Sequence, residues 1–536
     1  MNVSNRNLLS LCRLVPAVGL ALSLAGCVMV GPDYTRPPEP TGEHWMDSGD
    51  AAMSHEHADY SAWWRLFSDE TLNSLVETAY RQNPSLQAAG ARVLEAEARR
   101  GIAIGTLYPQ LQEAAGAYSY STVSTNRANQ RSLADSSFPD WSVGLDAAWE
   151  LDFWGRFRRG IESADAELLA SVASYDDALV SLVAEVALNY ISLRTLEERL
   201  TVAQSNVEIQ QSSYDIVSEK YRGGAVTKLD AEQAASLLED TRALIPGLEA
   251  NIRQTQNTLC LLLGIPPQDL HDILGGPRPI PSAPPQVAVG IPADLLRRRP
   301  DIRRVERTLA AQSALIGVAK SDLFPRLSLV GTISVAAKDF DNLFKGDSVE
   351  AFGGPSFRWA ILNYGRIANN VRVQDAEYQA LVSDYENTVL NAQTEVESSI
   401  AAFLGARQQV DFLVRSVEAA RNAVMLADLQ YREGAVDYTR VINTQQFLLT
   451  EQDKLVSTKG AVALDLTTLY RALGGGWELR AGKDFVPPET AKQMRERVDW
   501  GDRLSSEEQQ DKPAAAASGT ESDRGWWRWR WWWPQW

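Results

Sequence analysis

The amino-acid sequence predicts an α+β membrane protein with an internal duplication, in which a few membrane-facing strands lead into very long helical hairpins. Three observations predict it. The hexapeptide Tyr221-Arg-Gly-Gly-Ala-Val226 returns as Tyr431-Arg-Glu-Gly-Ala-Val436, with five of six residues identical at an offset of 210. From Trp141 to Phe153 the odd positions are all apolar (Trp141, Val143, Leu145, Ala147, Trp149, Leu151 and Phe153), while Asp146, Glu150 and Asp152 fall on the other parity. That period of two describes a strand between two unlike environments. From Gly155-Arg156 to about Arg222 the pattern is helical, interrupted only at Gly160, and at 1.5 Å per residue it spans roughly 100 Å.

Composition narrows the function. The chain has 536 residues and a net charge of −17, which argues against a nucleic-acid surface and fits a cation-tolerant or acidic cavity. Three cysteines are too few for a disulfide framework. Cys260, inside Leu259-Cys-Leu-Leu-Leu263, reads as a buried thiol. No stretch after the N-terminus reaches about 18 consecutive apolar residues, so membrane contact falls to a lipid or to strands.

Residues 1–26 read as a lipoprotein signal peptide. Arg6 and Arg13 precede the apolar run Leu14 to Leu24, and Leu24-Ala-Gly-Cys27 has the small residues of a lipobox before the cysteine that is lipidated. Several acyl chains hold a protein to a membrane where one does so only marginally, which makes Cys27 the expected lipid anchor. Val28 follows it rather than an acidic residue, the pattern of outer-membrane sorting. Residues 27–62 are an extended lead, stiffened by Pro32, Pro37 and Pro38. His55-Glu-His57 lacks further ligands nearby and is expected to bind no metal.

The first repeat covers 63–276. Trp63-Trp-Arg-Leu-Phe67 leads into a short helix, and Asn83-Pro84 opens another that stops before Pro109, Pro suiting a first helical turn. Strands are expected at about 111–123 and 141–153, joined by a polar loop. Thirteen alternating residues exceed an ordinary strand and suit a membrane barrel, with Asp146, Glu150 and Asp152 facing water in the lumen. The long helix then runs to a tip at about 221–230, and a return helix runs from Thr227 to Leu263. That return is too short to pair with the whole outgoing helix. Stacked end to end, it and the helix from Pro84 would match it.

Residues 277–298 form a Pro-rich linker, and the order restarts over 299–477. Arg299-Pro-Asp-Ile302 opens a helix ending before Pro325, strands are expected at about 327–337 and 352–363, Gly365-Arg366 starts a second long helix, and the second tip lies at about 431–440. Within the helices Asp375-Ala-Glu377 repeats Asp165-Ala-Glu167, so the duplication is one of supersecondary structure. Residues 478–536 are a tail whose end, from Gly525 to Trp536, is rich in Trp with two Arg, a composition suited to a membrane interface or a partner groove. Four strands cannot close in lipid, because an open sheet leaves its edges unsatisfied. Several copies must therefore share one barrel, and counting strands does not choose between two and three.

Read together, Leu24-Ala-Gly-Cys27, Gly31-Pro-Asp-Tyr34, Trp63-Trp64 with Phe67, Arg299-Pro-Asp-Ile302, Phe324-Pro325, the two tips and Ala472-Leu-Gly-Gly-Gly-Trp477 give the chain a specific resemblance. Over about residues 24–477 it resembles the TolC-like outer-membrane efflux proteins, in the lipoprotein branch often called NodT-type. The resemblance implies a homotrimer with a twelve-stranded outer-membrane β-barrel, four strands per chain, continued by a long periplasmic α-helical barrel. It implies docking to a periplasmic adaptor (membrane fusion) protein and an inner-membrane pump, commonly of the resistance–nodulation–division class. Such a duct passively conducts what the pump delivers, and the cargo is set largely by the pump. It also implies a periplasmic gate at the tips, onto which Tyr221, Gly224, Asp230, Tyr431 and Gly434 map. The acidic positions of the second tip read Arg440 and Asn443 instead, so an acid ring does not carry over. The expectation is that Asp230, Tyr431 and Arg440 hold adjacent hairpins closed through hydrogen bonds; the alternative is that Asp230 in Thr227-Lys-Leu-Asp230 only caps a helix. A periplasm-spanning lipoprotein scaffold or adhesin without a pore is the competing function. An enzyme is not expected: no nucleophile–base set, metal cluster or cofactor loop occurs, and Gly223-Gly224 lacks the Lys-Ser/Thr pair of a phosphate loop.

Overall fold

The structure is a computed structural model that describes residues 29–38, 42, 44–47, 49–54, 60–124, 136–284, 286–289 and 298–504. Cys27, His55-Glu-His57, most of the loop between the first two strands and the Trp-rich end lie outside them. Two compact units divide the chain, Met1–Leu479 and Arg480–Trp536.

In the first unit, Asp69 caps α1 (Glu70–Gln82), its Oδ1 accepting the N–H of Thr71 and Leu72 at 2.9 and 3.1 Å. Asn83 caps α2 (Pro84–Gly105), where proline fills the first position and loses no helix bond. Then come β1 (Leu111–Thr122), β2 (Ser137–Leu151), α3 (Arg156–Arg222) and α4 (Lys228–Leu262). The second copy repeats the set: α5 (Pro300–Ser321), β3 (Arg326–Ala337), β4 (Val349–Arg358), α6 (Arg366–Arg432) and α7 (Tyr438–Ala472). Corresponding helices have identical lengths, 22 residues for α2 and α5, 67 for α3 and α6, and 35 for α4 and α7.

Two strands depart from the period-two pattern. β2 covers Ser137–Leu151 instead of 141–153, and β4 covers Val349–Arg358 instead of 352–363. In β4 the apolar alternation outruns the hydrogen-bonded strand, and Trp359, one residue past its end, has another task. Trp359 Nε1 donates to Leu323 O at 3.0 Å, and Trp149 Nε1, 210 residues earlier, donates to Leu107 O at 3.1 Å. Each indole pins the sheet to the end of the helix that feeds it. The four strands form one antiparallel sheet in the order β1-β2-β3-β4. Separately, Met53–Ser54 pairs in parallel with Val287–Ala288, tying the lead to the Pro-rich linker, where no periodicity had signalled a strand.

α3 packs along α2, α4, α5 and α7, and α6 along α5 and α7. Part of α3 is apolar and long enough to cross a membrane by composition, but that window is 67% buried inside the protein and serves as core. The short and return helices do stack end to end. Asn83 Nδ2 donates to Leu262 O (2.9 Å), and the same joint recurs where Arg299 Nη1 donates to Ala472 O (2.6 Å). Both joints need glycine. Gly264 and Gly474 each have φ +71°, and a Cβ would sit 2.5 Å from Gln82 O in the first and 3.1 Å from Arg299 Cα in the second. The second joint also gathers Trp63, stacked on Tyr470 with centroids 5.5 Å apart, against Gly475.

The lead docks at the sheet–helix junction. Val30 N–H donates to Trp154 O (3.1 Å), and buried Arg159 donates to Val30 O, Gly31 O and Asp33 Oδ1. In the second unit, α8 (Pro488–Arg497) is closed by Arg495, whose Nη2 donates to Leu504 O at 2.8 Å.

Candidate functional site

Two regions carry candidate chemistry, the faces of the sheet and the hairpin tips. Register fixes which residues share a face. One face carries Leu145, opposite Ala114 and Ile333, with Tyr118 beside Trp141, Val143 beside Val335 and Leu329 beside Trp149. These side chains point away from the protein, and Leu145 and Ile333 are each 63% exposed. A row of large apolar groups uncovered on a strand face is what a lipid-facing surface requires. The opposite face carries Glu113 across from Asp146, then Thr332 and Phe352, with Glu350 across from Ser334. Two carboxylates directly opposite repel each other unless water screens them, so this face suits a wet environment. Thr332 Oγ1 donates to Asp146 Oδ1 at 2.6 Å and fixes it.

Of the three acids expected in the lumen, only Asp146 stands in mid-strand. Glu150, near the end of β2, lies 3.4 Å from Arg156 and 4.0 Å from Arg326 at the sheet–helix junction. Asp152 is a correction: it falls one residue past the strand. Its Oδ1 accepts Phe157 N–H and its Oδ2 accepts Arg158 N–H, both at 3.0 Å, so it caps the start of α3. A carboxylate there also meets the positive end of the helix. Alternation alone could not show that the strand stops at Leu151. Glu113 and Glu350 were missed, although the parity of β1 and β4 against Asp146 was the signal that could have found them. Among the described residues neither β1 nor β4 has a partner on its outer edge, leaving two open strand edges of 12 and 10 residues.

The tips share one turn. Gly224 and Gly434 both have φ +75°, a conformation glycine adopts without penalty, and each follows its long helix by two residues. Thr227 caps α4 in a reciprocal box: Asp230 Oδ2 accepts Thr227 N–H (2.9 Å) and Thr227 Oγ1 (2.8 Å), while Thr227 Oγ1 takes Asp230 N–H (3.4 Å). At the second tip Asp437 takes the cap and accepts Arg440 N–H at 3.2 Å. The exposed Arg440 side chain makes no hydrogen bond or ion pair with the described residues.

The repeated tyrosines differ sharply. Tyr431 is 5% exposed and Tyr221 is 42% exposed. Tyr431 packs on Tyr438 (centroids 5.2 Å apart) within a cluster of Val217, Ala234 and Leu237 from the first hairpin and Ala427, Val441 and Ile442 from the second. Lys220 Nζ sits 4.2 Å over the Tyr431 ring and donates to Tyr431 O at 2.9 Å. Ser213 Oγ and Tyr438 OH share a 3.1 Å hydrogen bond. Within one chain, and among the described residues, the buried Tyr431 hydroxyl has no hydrogen-bond partner, Asp230 included. Burial, and then the nearby charge of Asp230, push its phenol up to about 12. The unfolded tyrosine ionises near 10, so stability drains as pH rises from 10 towards 12 and is untouched below 10. Tyr431→Phe should remove that part of the alkaline loss. At pH 8 it should leave stability equal, or raise it by about 1 kcal/mol by deleting an unsatisfied hydroxyl. Thermal unfolding at pH 8 and pH 11 measures both effects.

Comparison with known proteins places these features. The outer membrane efflux protein family model matches residues 75–265 and 291–475. Nodulation protein T of Rhizobium leguminosarum bv. trifolii is 33% identical over 460 residues, covering 85% of this chain and 96% of that protein. The pyoverdine export outer membrane protein OpmQ of Pseudomonas putida is 32% identical, covering 86% of this chain and 96% of the relative. Among solved structures, the outer-membrane channel OprN superposes with a TM-score of 0.79 at 33% identity, covering 84% of this chain and all of that one.

Proposed function

The chain belongs to the outer membrane efflux protein family, and we propose that it is the exit duct of a tripartite efflux system, a homotrimer whose copies share one barrel and one helical tube. Its place is the outer membrane, as the family description and the outer membrane protein OpmQ indicate. The observation that carries the reading is the sheet, apolar and exposed on one face, acidic on the other and, among the described residues, unpaired at both edges. Closed bacterial barrels start at about eight strands, so four strands per chain call for more than one copy, and three copies give twelve. A scaffold without a pore gives no reason for an uncovered apolar sheet face. The roughly 100 Å helices carry the duct into the periplasm, towards an adaptor and an inner-membrane pump of the resistance–nodulation–division class.

Geometry also supports the lipid anchor. Met29 lies against Gly155, where a Cβ would be 2.9 Å from Met29 Cα, and Gly155 separates β2 from α3. Cys27, which we read as the lipid anchor, is two residues earlier in the sequence. A lipid there would enter the membrane where the barrel ends.

The tips are the closable end, with Asp230, Tyr431 and Arg440 its working residues and Tyr221, Gly224 and Gly434 shaping it. Asp230→Ala is expected to weaken the start of α4 by about 1 kcal/mol and to raise ion leakage. A lower melting temperature with unchanged leakage would leave Asp230 a helix cap and nothing more. The reading as a whole is tested by native mass with conductance in a planar bilayer. Three chains and a steady cation-leaning conductance support it, and a monomer without conductance overturns it.

A further inference from the structure

The internal repeat relates the two open strand edges, β1 and β4, to a pair of strands already joined inside the chain. Leu111 opposes Ala148 at the foot of the first β-hairpin, and Arg326 opposes Arg358 at the foot of the second. Ala148 therefore maps to Arg358, an offset of 210, and Leu111 to Arg326, an offset of 215. β2 and β3 pair with Ala147 opposite Gly331 and Val143 opposite Val335. Carried through the two offsets, the same pairing would join β4 of one copy to β1 of the next. Phe357 then faces Gly116 of the partner subunit, and Gly353 faces Tyr120 of the partner subunit. No side-chain identity entered this transfer, yet it sets each glycine across from a large ring. Phe357 and Tyr120 are 73% and 64% exposed. The chain alone gives no reason for either glycine: neither has a positive φ, and an added Cβ would come no nearer than 3.6 Å to any atom at Gly116 and 3.8 Å at Gly353. Glycine inside a strand weakens it and marks a place where another group comes close, and a ring laid across an edge glycine makes good the loss. A slide of two residues, the smallest that keeps both faces, would put Phe357 against Ala114 or Tyr118 instead.

The junction below the sheet carries a matching pair. Trp154, just past β2, stacks on Phe324 with centroids 4.5 Å apart and donates from Nε1 to Pro325 O at 2.8 Å. Its counterpart Tyr364 is 98% exposed and held at φ +51°, a conformation uncommon for any residue but glycine. Phe324-Pro325 has its own counterpart in Tyr108-Pro109, where Tyr108 is 62% exposed. We propose that β4 of one copy pairs with β1 of the next in the register that sets Phe357 on Gly116 of the partner subunit and Gly353 on Tyr120 of the partner subunit. In the same seam Tyr364 lies on Tyr108 of the partner subunit, as Trp154 lies on Phe324. The occupant of both edges is another copy of this chain, and the inference rests on reading several copies as sharing one barrel. Copy number leaves the register open; the ring–glycine pairs fix it. Strand stagger and tilt are linked to barrel width, so these pairs set the bore of the duct.

Paired cysteines in the full-length protein, in isolated outer membranes, read the register. With Phe357→Cys and Gly116→Cys in one chain, mild oxidation should link neighbouring copies into a ladder that ends at the full ring. Gly353→Cys with Tyr120→Cys should do the same. The pairs displaced by two residues, Phe357→Cys with Ala114→Cys and Phe357→Cys with Tyr118→Cys, should link several-fold more slowly. A native assembly in which a displaced pair links as fast as the matched one, or in which neither matched pair links, overturns the register. A monomeric native mass would instead overturn the shared barrel beneath it. Independently of cysteines, Gly116→Leu should block assembly by taking the place of the Phe357 ring, and adding Phe357→Ala should restore it; a failure of rescue counts against the pairing. Tyr364→Ala should lower the melting temperature of the assembly while Tyr364→Trp preserves it. Equal loss in both, or loss in neither, would remove Tyr364 from the seam.

Discussion

Leu145→Arg is expected to abolish insertion of the assembled protein into the outer membrane. Leu145 stands on the apolar sheet face, 63% exposed and flanked across the strands by Ala114 and Ile333. If that face met water, replacing an exposed leucine by arginine would change stability by no more than about 0.5 kcal/mol. Facing lipid near the bilayer midplane, the same change costs about 2–4 kcal/mol per copy. If three copies share one barrel, as proposed above, the cost triples to roughly 6–12 kcal/mol, comparable with the whole stability of a typical domain. Ala115→Arg is the matched control, one strand away on the face shared by Gly144, Ser334 and Glu350. It should insert and reduce cation preference, since a positive charge joins a wall bearing Glu113, Asp146 and Glu350. Membrane fractionation and melting of the reconstituted assembly read both variants. Normal insertion of Leu145→Arg together with failure of Ala115→Arg would reverse the assignment of the two faces.

The contrast between these faces could be read in the sequence because period two is a local property. The long helices could be read for the same reason: over α3 only Gly160 interrupts the pattern, and the match at 210 transfers the reading to α6. What could not be read depends on where an element stops and on what meets it from far away. Asp152 and Trp359 keep the strand alternation, yet one caps α3 and the other is bonded to Leu323 O. Tyr221 and Tyr431 sit in nearly identical hexapeptides. One is exposed and the other buried because α7 and α3 come together from opposite halves of the chain. The cap formed by Thr227 and Asp230 was legible from four residues, whereas Lys220 over Tyr431 joins residues 211 apart and left no local trace.

The lead illustrates the same limit and carries the second large effect. Gly31-Pro-Asp-Tyr34 reads as extended chain, but Gly31 has φ +105° and lies so close to Gly317 that a Cβ on it would overlap the Gly317 Cα. A Cβ on Gly317 would in turn sit 2.8 Å from Val30 O. Gly31→Ala therefore meets both a disfavoured backbone conformation and a rigid backbone neighbour, and no side chain can swing aside to relieve it. The lead must lift. Arg159, 1% exposed, then loses Val30 O, Gly31 O and Asp33 and keeps Glu162 as its ion-pair partner. Breaking a buried ion pair on one side costs about 3–5 kcal/mol, and the exposure of Asp33 places this case at about 2–4 kcal/mol, near the lower end. Gly160→Ala, one residue past Arg159 with nothing within 4 Å of its Cβ, should do the opposite and stabilise α3 by about 0.5–1 kcal/mol. Exchange of the Val30 N–H, bonded to Trp154 O in the docked state, separates local release from global unfolding. In Gly31→Ala it should exchange freely and the lead should become protease-sensitive while the hairpins stay protected. A Val30 amide that remained protected, with an unchanged melting temperature, would show that the lead holds its place without the glycine contact.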